Sequence, residues 1–352
     1  MKLVIKMWKV TNEVNKVILD DFRNKLIEPL FEEIIYYKRQ SLNISFCENI
    51  KNGIDVKRGS SRSLINYLNK RKTKKVTFGN LIDKIISDNS LNELENYYSI
   101  FVFQNNEINS GNYNIKEEVI SKEFKFLFAD FFYEMFFDYK KIWILIDKKY
   151  EKSSFDRNIF HINFKRENNI EICPYCDIDS TISVFNNEVE HFLPKSRFPF
   201  LAMNAYNLIP SCHACNKKPD GKGSDVYMPI YSPYNMQIGD KLKFENDIVK
   251  RKIELSTDDS FIENYLKLLN LKSRYSPRRV YDYVEAKAES IYETLNDIEQ
   301  MGKVSLTQKQ IENYILEKGI KFAKKEPLTL AVKYAFSEYE LYLSYRDKHI
   351  VD

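Results

Sequence analysis

Apolar residues recur every third or fourth position over two long stretches of the chain and lose that rhythm in between. Near the start, Val14, Val17, Ile18, Phe22, Leu26 and Leu30 follow helical spacing behind Thr11, a residue suited to capping a helix. Pro29 is expected to kink or interrupt this helix, because its ring removes a backbone donor. Phe128, Phe131, Phe132, Met135, Tyr139, Ile142 and Trp143 also repeat at three and four, which predicts a core helix. From about residue 259 the pattern returns. Ser276-Pro277 can start a helix whose buried face is Val280, Val284, Ile291, Leu295 and Ile298 and whose end is Gly302. Two further helices are predicted at 307–318 and 327–345. Residues 169–245 have no such period and are enriched in Cys, Pro, Gly and Asn. The expectation is a mainly α protein with a small α+β insert: a helical region 1–168, available for DNA or partner binding; the insert 169–245; and a helical region 246–352.

Composition adds little to this. The chain has 352 residues, 43% of them apolar and 30% charged, which fits a folded globular protein and not a disordered one. A net charge of +4 is only mildly basic, so any surface for nucleic acid must be local. The most one-sided run is Lys51 to Lys75, where Lys51, Lys57, Arg58, Arg62, Lys70, Arg71, Lys72, Lys74 and Lys75 face a lone Asp55. It reads equally as a solvated face or as an arm contacting phosphates. The apolar stretch from Phe124 to Leu145 is interrupted by Asp130, Glu134, Asp138, Lys140 and Lys141, too many charges to cross a bilayer. The first residues contain no apolar leader segment. A soluble cytoplasmic protein with no membrane partner is expected.

The chemistry is concentrated in the insert. Cys173-Pro-Tyr-Cys176 and Cys212-His-Ala-Cys215 are two Cys-x-x-Cys pairs, and Cys47 stands alone. Four thiols in two close pairs suit a closed tetrahedral zinc site in a reducing compartment better than a disulfide framework. The first pair is also the active-site tetrapeptide of glutaredoxins, but that fold needs an amphipathic helix straight after it. Here Ile182 and Val184 alternate with Thr181 and Ser183 in a strand-like pattern. A rubredoxin-like iron site would use the same two pairs but would need none of the polar residues that lie between them.

Those residues are Glu190-His191, followed by Pro194, then Asn207, and Asn216 directly after the last cysteine. His191 can act as a general base on water. Glu190 is a hard oxygen donor suited to Mg2+ or Mn2+, and the amide oxygen of Asn216 can be a second. Asn207 can pin the loop beneath His191 and orient its ring. Lys195, Arg197, Lys217, Lys218 and Lys222 surround these groups and can hold flanking phosphates. His213 is expected to face solvent, and His161 and His349 to be structural or exposed.

Glu-His-x-x-Pro, then Asn-Leu, then Cys-x-x-Cys-Asn resembles the HNH endonucleases, the ββα-metal (His-Me finger) family, and the nine-residue step from Asn207 to Asn216 matches the family's usual spacing. The wording Glu190-His-Phe-Leu-Pro-Lys-Ser196 is similar to HNH proteins of bacterial anti-phage systems such as the Septu type, and Leu269-Asn-Leu-Lys-Ser-Arg-Tyr275 resembles the helical tail of such proteins. The resemblance covers about a fifth of the chain. It implies a ββα-metal core with a four-cysteine zinc knuckle. In it Glu190 and Asn216 bind a catalytic divalent ion, His191 activates water and Asn207 is structural. Glu for the commoner Asp, and Asn for the final His, are departures that keep an oxygen ligand. The implied activity is DNA phosphodiester hydrolysis in antiviral defence, beside an ATPase partner or as a homo-oligomer. The alternative is a catalytically inactive zinc-ribbon protein that binds nucleic acid or acts as an adaptor.

Overall fold

The structure, a computed structural model, describes residues 9–40, 67–139, 141–150, 155–181, 188–219 and 221–349. Cys47, the alternation at Ile182 and Val184, and residues 51–66 of the basic run lie outside them. The fold is mainly helical with small two-stranded sheets. Among the described residues no helix is long and apolar enough to cross a membrane. The chain divides into two compact, interleaved units: residues 11–167 with 189–210, and residues 1–10, 168–188 and 211–352.

The first unit is built on aromatic helices. Helix α1 (Glu13–Phe22) runs through a widened π turn, Arg23–Ile27, into α2 (Glu28–Arg39). The interruption expected from Pro29 takes this form: Pro29 lies in the first turn of α2, where its missing N–H cannot reach the carbonyl of Lys25. The N-cap of α1 is Asn12 and not Thr11. The first free N–H groups are met by Glu167, whose carboxylate accepts from Glu13 N at 2.8 Å and Val14 N at 3.1 Å. Val14 and Val17 are exposed, and Leu19 takes the buried position instead, so the face is rotated from the one the spacing predicts.

A hairpin, β1 (Lys72–Thr73) with β2 (Val76–Thr77), leads into α3 (Phe78–Asp88), capped by Thr77, and α4 (Leu91–Asn109), closed by a Ser90–Glu93 capping box. The expected aromatic helix is real but segmented: α5 (Lys122–Phe126), a π stretch Leu127–Phe132, α6 (Tyr133–Asp138) and α7 (Lys141–Ile146). Tyr139 leaves helical geometry, which makes the break. Phe128, Phe131, Phe132, Met135, Ile142 and Trp143 are all buried. Helix α8 (Arg157–Asn168) follows, and strands β3 (Glu188–His191) and β4 (Leu208–Ser211) pair with each other.

The loop between β3 and β4 supplies part of this unit's core. Phe200 packs its ring among Phe31, Tyr97, Phe101, Phe124 and Phe128, at centroid separations of 4.8 to 6.4 Å. Buried asparagines satisfy the loop's backbone where regular structure does not. Asn12 donates to Ala205 O at 2.8 Å, and Asn105 donates to Phe200 O at 3.1 Å.

The second unit holds the one-turn helix α9 (His213–Asn216) and an antiparallel hairpin, β5 (Lys243–Asp247) with β6 (Lys252–Ser256). Then come α10 (Ser260–Leu268), capped by Asp259, and α11 (Leu271–Tyr275). Helix α12 runs from Arg278 behind Pro277 to Gly302, close to the expected bounds, and buries Val280, Val284 and Leu295 while Ile298 stays exposed. Helix α13 spans Gln308–Phe322. The single helix expected at 327–345 is two, α14 (Thr329–Ala335) and α15 (Tyr339–His349). At the break, the hydroxyl of Tyr292 donates to the carbonyl of Phe336, which the helix leaves without an intrahelical partner.

Candidate metal centre and histidine strand

Residues 171–181 fold back on themselves. Cys173 N donates to Asp179 O at 2.9 Å and Thr181 N to Glu171 O at 2.7 Å, with Asp177 turning the chain at φ +58°. This places Cys173 and Cys176 on one tight turn. Cys212 is the N-cap of α9 and Cys215 lies within it; the N–H of Cys212 donates to the Cys173 sulfur at 3.3 Å. The chain then crosses behind Cys215 so closely that a Cβ at Gly221 would lie 2.3 Å from the Cys215 carbonyl oxygen.

All four cysteines are buried, and their sulfurs lie within 4.8 Å of one another. The Cys173–Cys215 and Cys176–Cys212 sulfur separations are 3.8 and 3.9 Å. A tetrahedron with metal–sulfur bonds of about 2.3 Å has edges of about 3.8 Å. The cluster can therefore hold a metal ion such as zinc. Its acid–base behaviour points the same way. Burial raises the pKa of the Cys176 thiol, but hydrogen bonds from its three neighbours outweigh this and bring it well below the usual thiol range. The Cys212 thiol is held well above that range by hydrogen bonding with Cys173 and Cys176, and the Cys215 thiol by burial first. One anion held by hydrogen bonds from neighbouring thiols is what a cation bound among the sulfurs would replace.

The other unit carries His191, at the end of β3. Its Nε2 lies 3.0 Å from the carbonyl oxygen of Ala202. That oxygen can only accept, so Nε2 carries the proton and Nδ1 is the basic nitrogen of the neutral ring. The imidazole is 4% exposed and sits 5.0 Å, centroid to centroid, from Tyr133. The hydroxyl of Tyr133 donates to Val189 O at 3.0 Å and fixes the strand from the helix side. Asn207 is fully buried. Its Oδ1 accepts from Leu193 N at 2.7 Å, and its Nδ2 donates to Leu193 O at 3.0 Å and Leu201 O at 3.1 Å. Asn207 O accepts from Phe192 N at 2.8 Å, so both ends of the His191 loop are tied to one residue. On β3 burial alternates, with Val189 and His191 buried and Glu188 and Glu190 half-buried on the opposite face.

In the cysteine unit, the Asn216 side-chain nitrogen donates to the carboxylate of Glu188, which leaves its Oδ1 as the available acceptor. Glu188 also lies 3.3 Å from His213 Nδ1 and 3.6 Å from Lys217 Nζ. His213 is exposed. The cations expected to meet phosphate are engaged within the protein. Lys195 donates to Ala129 O at 2.8 Å and lies over the Tyr133 ring at 4.4 Å; burial lowers its pKa, and Asp130 opposes the shift. Arg197 pairs with Glu117 at 2.6 Å and Lys218 with Asp225 at 2.8 Å. Lys222 is fully buried, with Nζ 3.5 Å from Gly223 O, and is held inside the fold and not on a surface.

Two residues of these arrangements were not singled out by the sequence reading. Glu188 could have been found, since it precedes Glu190 by two positions and a strand places both on one face. Tyr133 is hidden within a run of aromatics whose spacing marks only a core.

Fold and site together define a mainly helical protein with small two-stranded sheets and a four-cysteine cluster that can hold a metal ion. Over 80 residues, 23% of the chain, it is 38% identical to the Septu protein PtuB of Bacillus thuringiensis. The matched stretch spans about a third, 31%, of that relative's length. No family model matches the sequence. No solved structure matches either.

Proposed function

We propose that this protein is a metal-dependent HNH endonuclease that hydrolyses DNA phosphodiester bonds in anti-phage defence, with zinc in the four-cysteine centre. The observation that carries the reading is the His191 ring, whose Nε2–H is committed to Ala202 O so that Nδ1 is the base. The defence role is supported by the partial likeness to the Septu protein PtuB. A resident partner, such as an ATPase of the same defence system, belongs to the same proposal.

In this mechanism Nδ1 of His191 removes a proton from water as the water oxygen attacks phosphorus. The bond to the 3′ oxygen breaks with its electron pair going to that oxygen, which takes a proton from solvent water, leaving 5′-phosphate and 3′-hydroxyl ends. The imidazolium formed is stabilised by the Ala202 carbonyl, and Asn207 keeps the loop carrying that carbonyl in place. Glu190 and Asn216 are the oxygen donors for Mg2+ or Mn2+, which when bound polarises the attacked phosphate and stabilises the leaving oxygen. Within its own unit Asn216 is oriented for this by Glu188, which takes the amide nitrogen.

The test is plasmid nicking with Mg2+ or Mn2+, comparing the wild type with His191→Ala. The variant is expected to lose at least the roughly 10²–10⁴-fold contributed by a general base, with its zinc content unchanged. Equal cutting by the two proteins would remove His191 from the role. The alternative, a nucleic-acid-binding or adaptor protein with a silent site, is favoured by the internal pairing of Lys195, Arg197 and Lys218. Tight DNA binding with no cleavage under either metal, with partner present, would select it.

A further inference from the structure

The four-cysteine centre has a charge problem. Four thiolates around one divalent cation leave a net charge of −2 in a buried site, and the carboxylate of Asp179 lies 3.0 Å from the Cys212 sulfur. The cation that meets these charges comes from 59 residues beyond the last ligand. Arg274, in α11, has a side chain only 10% exposed. Its Nη1 donates to Cys215 Sγ at 2.8 Å, and its Nη2 donates to Asp179 Oδ2 at 2.7 Å and lies 3.6 Å from Cys176 Sγ and 4.0 Å from Cys212 Sγ. One planar guanidinium thus reaches three of the four sulfurs and the neighbouring carboxylate, which a point charge could not do.

The approach is built. Asn270, at φ 49°, turns the chain between α10 and α11. The hydroxyl of Tyr265 donates to Tyr175 O at 3.0 Å and that of Tyr275 to Cys176 O at 2.8 Å, pinning both helices to the cysteine turn.

We propose that Arg274 is the counter-ion of the four-cysteine centre: its fixed positive charge sets how tightly the thiolates hold their metal, and it ties metal occupancy to the docking of α10 and α11. Arg274 is a positioning residue and not a ligand. The proposal requires a divalent ion on the cysteines but not nuclease activity, so loss of the nuclease reading would leave it standing.

The experiment follows zinc release from the full-length chain to a chromophoric chelator, with a second series in which Co2+ replaces zinc. Arg274→Gln is expected to weaken zinc binding about 10–100-fold, the usual cost of losing an outer partner of a metal site. It should also shift the sulfur-to-cobalt charge-transfer band while the tetrahedral bands persist. Arg274→Lys, which restores the charge, should recover part of both. Asp179→Asn separates charge from mere bracing. With one negative charge fewer against the same guanidinium it should retain zinc longer than the wild type, whereas the loss of a structural salt bridge would loosen the site. Wild-type release and an unshifted band in Arg274→Gln would overturn the proposal. So would release from Asp179→Asn at or above the wild-type rate, which also decides the matter if Arg274→Gln does not fold.

Discussion

Asn207 binds both backbone groups of Leu193 with one side chain, accepting from its N–H and donating to its carbonyl. An amide is the one side-chain type of this size that can do both at once, and the site has no exposure through which water could substitute. Asn207→Ala is therefore expected to strand one donor and two carbonyls and to cost on the order of 2–4 kcal/mol. Asn207→Asp should cost as much, since it keeps the acceptor and loses both donors. Urea unfolding measures this; a loss under about 0.5 kcal/mol would show that the loop closes without Asn207.

Removal of metal should be a folding event for the cysteine unit. Binding at small structural zinc centres contributes on the order of 10–16 kcal/mol. Here the turn at 173–177 also holds other elements: Asp177 O accepts from Leu328 N at 2.6 Å and Asp177 Oδ2 from Leu330 N at 3.1 Å, at the start of α14. Chelation, or Cys176→Ser, is expected to abolish amide protection in α10, α11 and α14. Hydrogen exchange with protection unchanged in these helices would refute it.

The four-cysteine cluster was more legible in the sequence than the architecture around it. The cysteine spacing was enough to mark the four sulfurs that come together, because ligands with two residues between them on a turn have little freedom. The aromatic repeat at 128–143 marked buried positions, but it could not reveal the π stretch or the break at Tyr139, which depend on how the helix fits its neighbours. The exposure of Val14 and Val17 has the same origin, since a face with apolar residues on both flanks leaves its rotation to tertiary packing. Phe200 offered no local signal of its place in the aromatic core, because its partners lie far away in sequence. Lys222 looked like its neighbours Lys217 and Lys218, and only the close crossing of the chain at Gly221 shows why it is buried.

Gly221 itself gives a sharp steric prediction. A methyl group there would overlap the Cys215 carbonyl, and that atom is backbone and cannot swing away. Gly221→Ala should displace the second cysteine pair, cost about 1–3 kcal/mol through overpacking and speed metal loss. Zinc stoichiometry after dialysis is the readout; a full complement at the wild-type melting temperature would count against it.

His161 should make the aromatic unit acid-sensitive. Burial depresses its pKa from 6.5 to about 4, with Lys165 adding to the shift, and its Nδ1 has no hydrogen-bond partner among the described residues. Between pH 6.5 and 4 the unfolded chain binds a proton that the folded one refuses, so stability falls as pH is lowered through that window, by up to about 3 kcal/mol. Above pH 6.5 the residue should contribute no slope. His161→Phe is expected to flatten the profile between pH 4 and 6.5; an identical slope in the variant would assign the acid sensitivity elsewhere.

The chain passes from one unit to the other at four places, after Val10, Glu167, Glu188 and Pro210. No single scission, whether by a protease or by a truncated gene, can deliver either unit whole. A fragment cut at 169 and 245 would keep all four cysteines and His191 but would leave Phe200 with none of the rings that bury it, so the shortest piece of this protein that folds is expected to be nearly all of it.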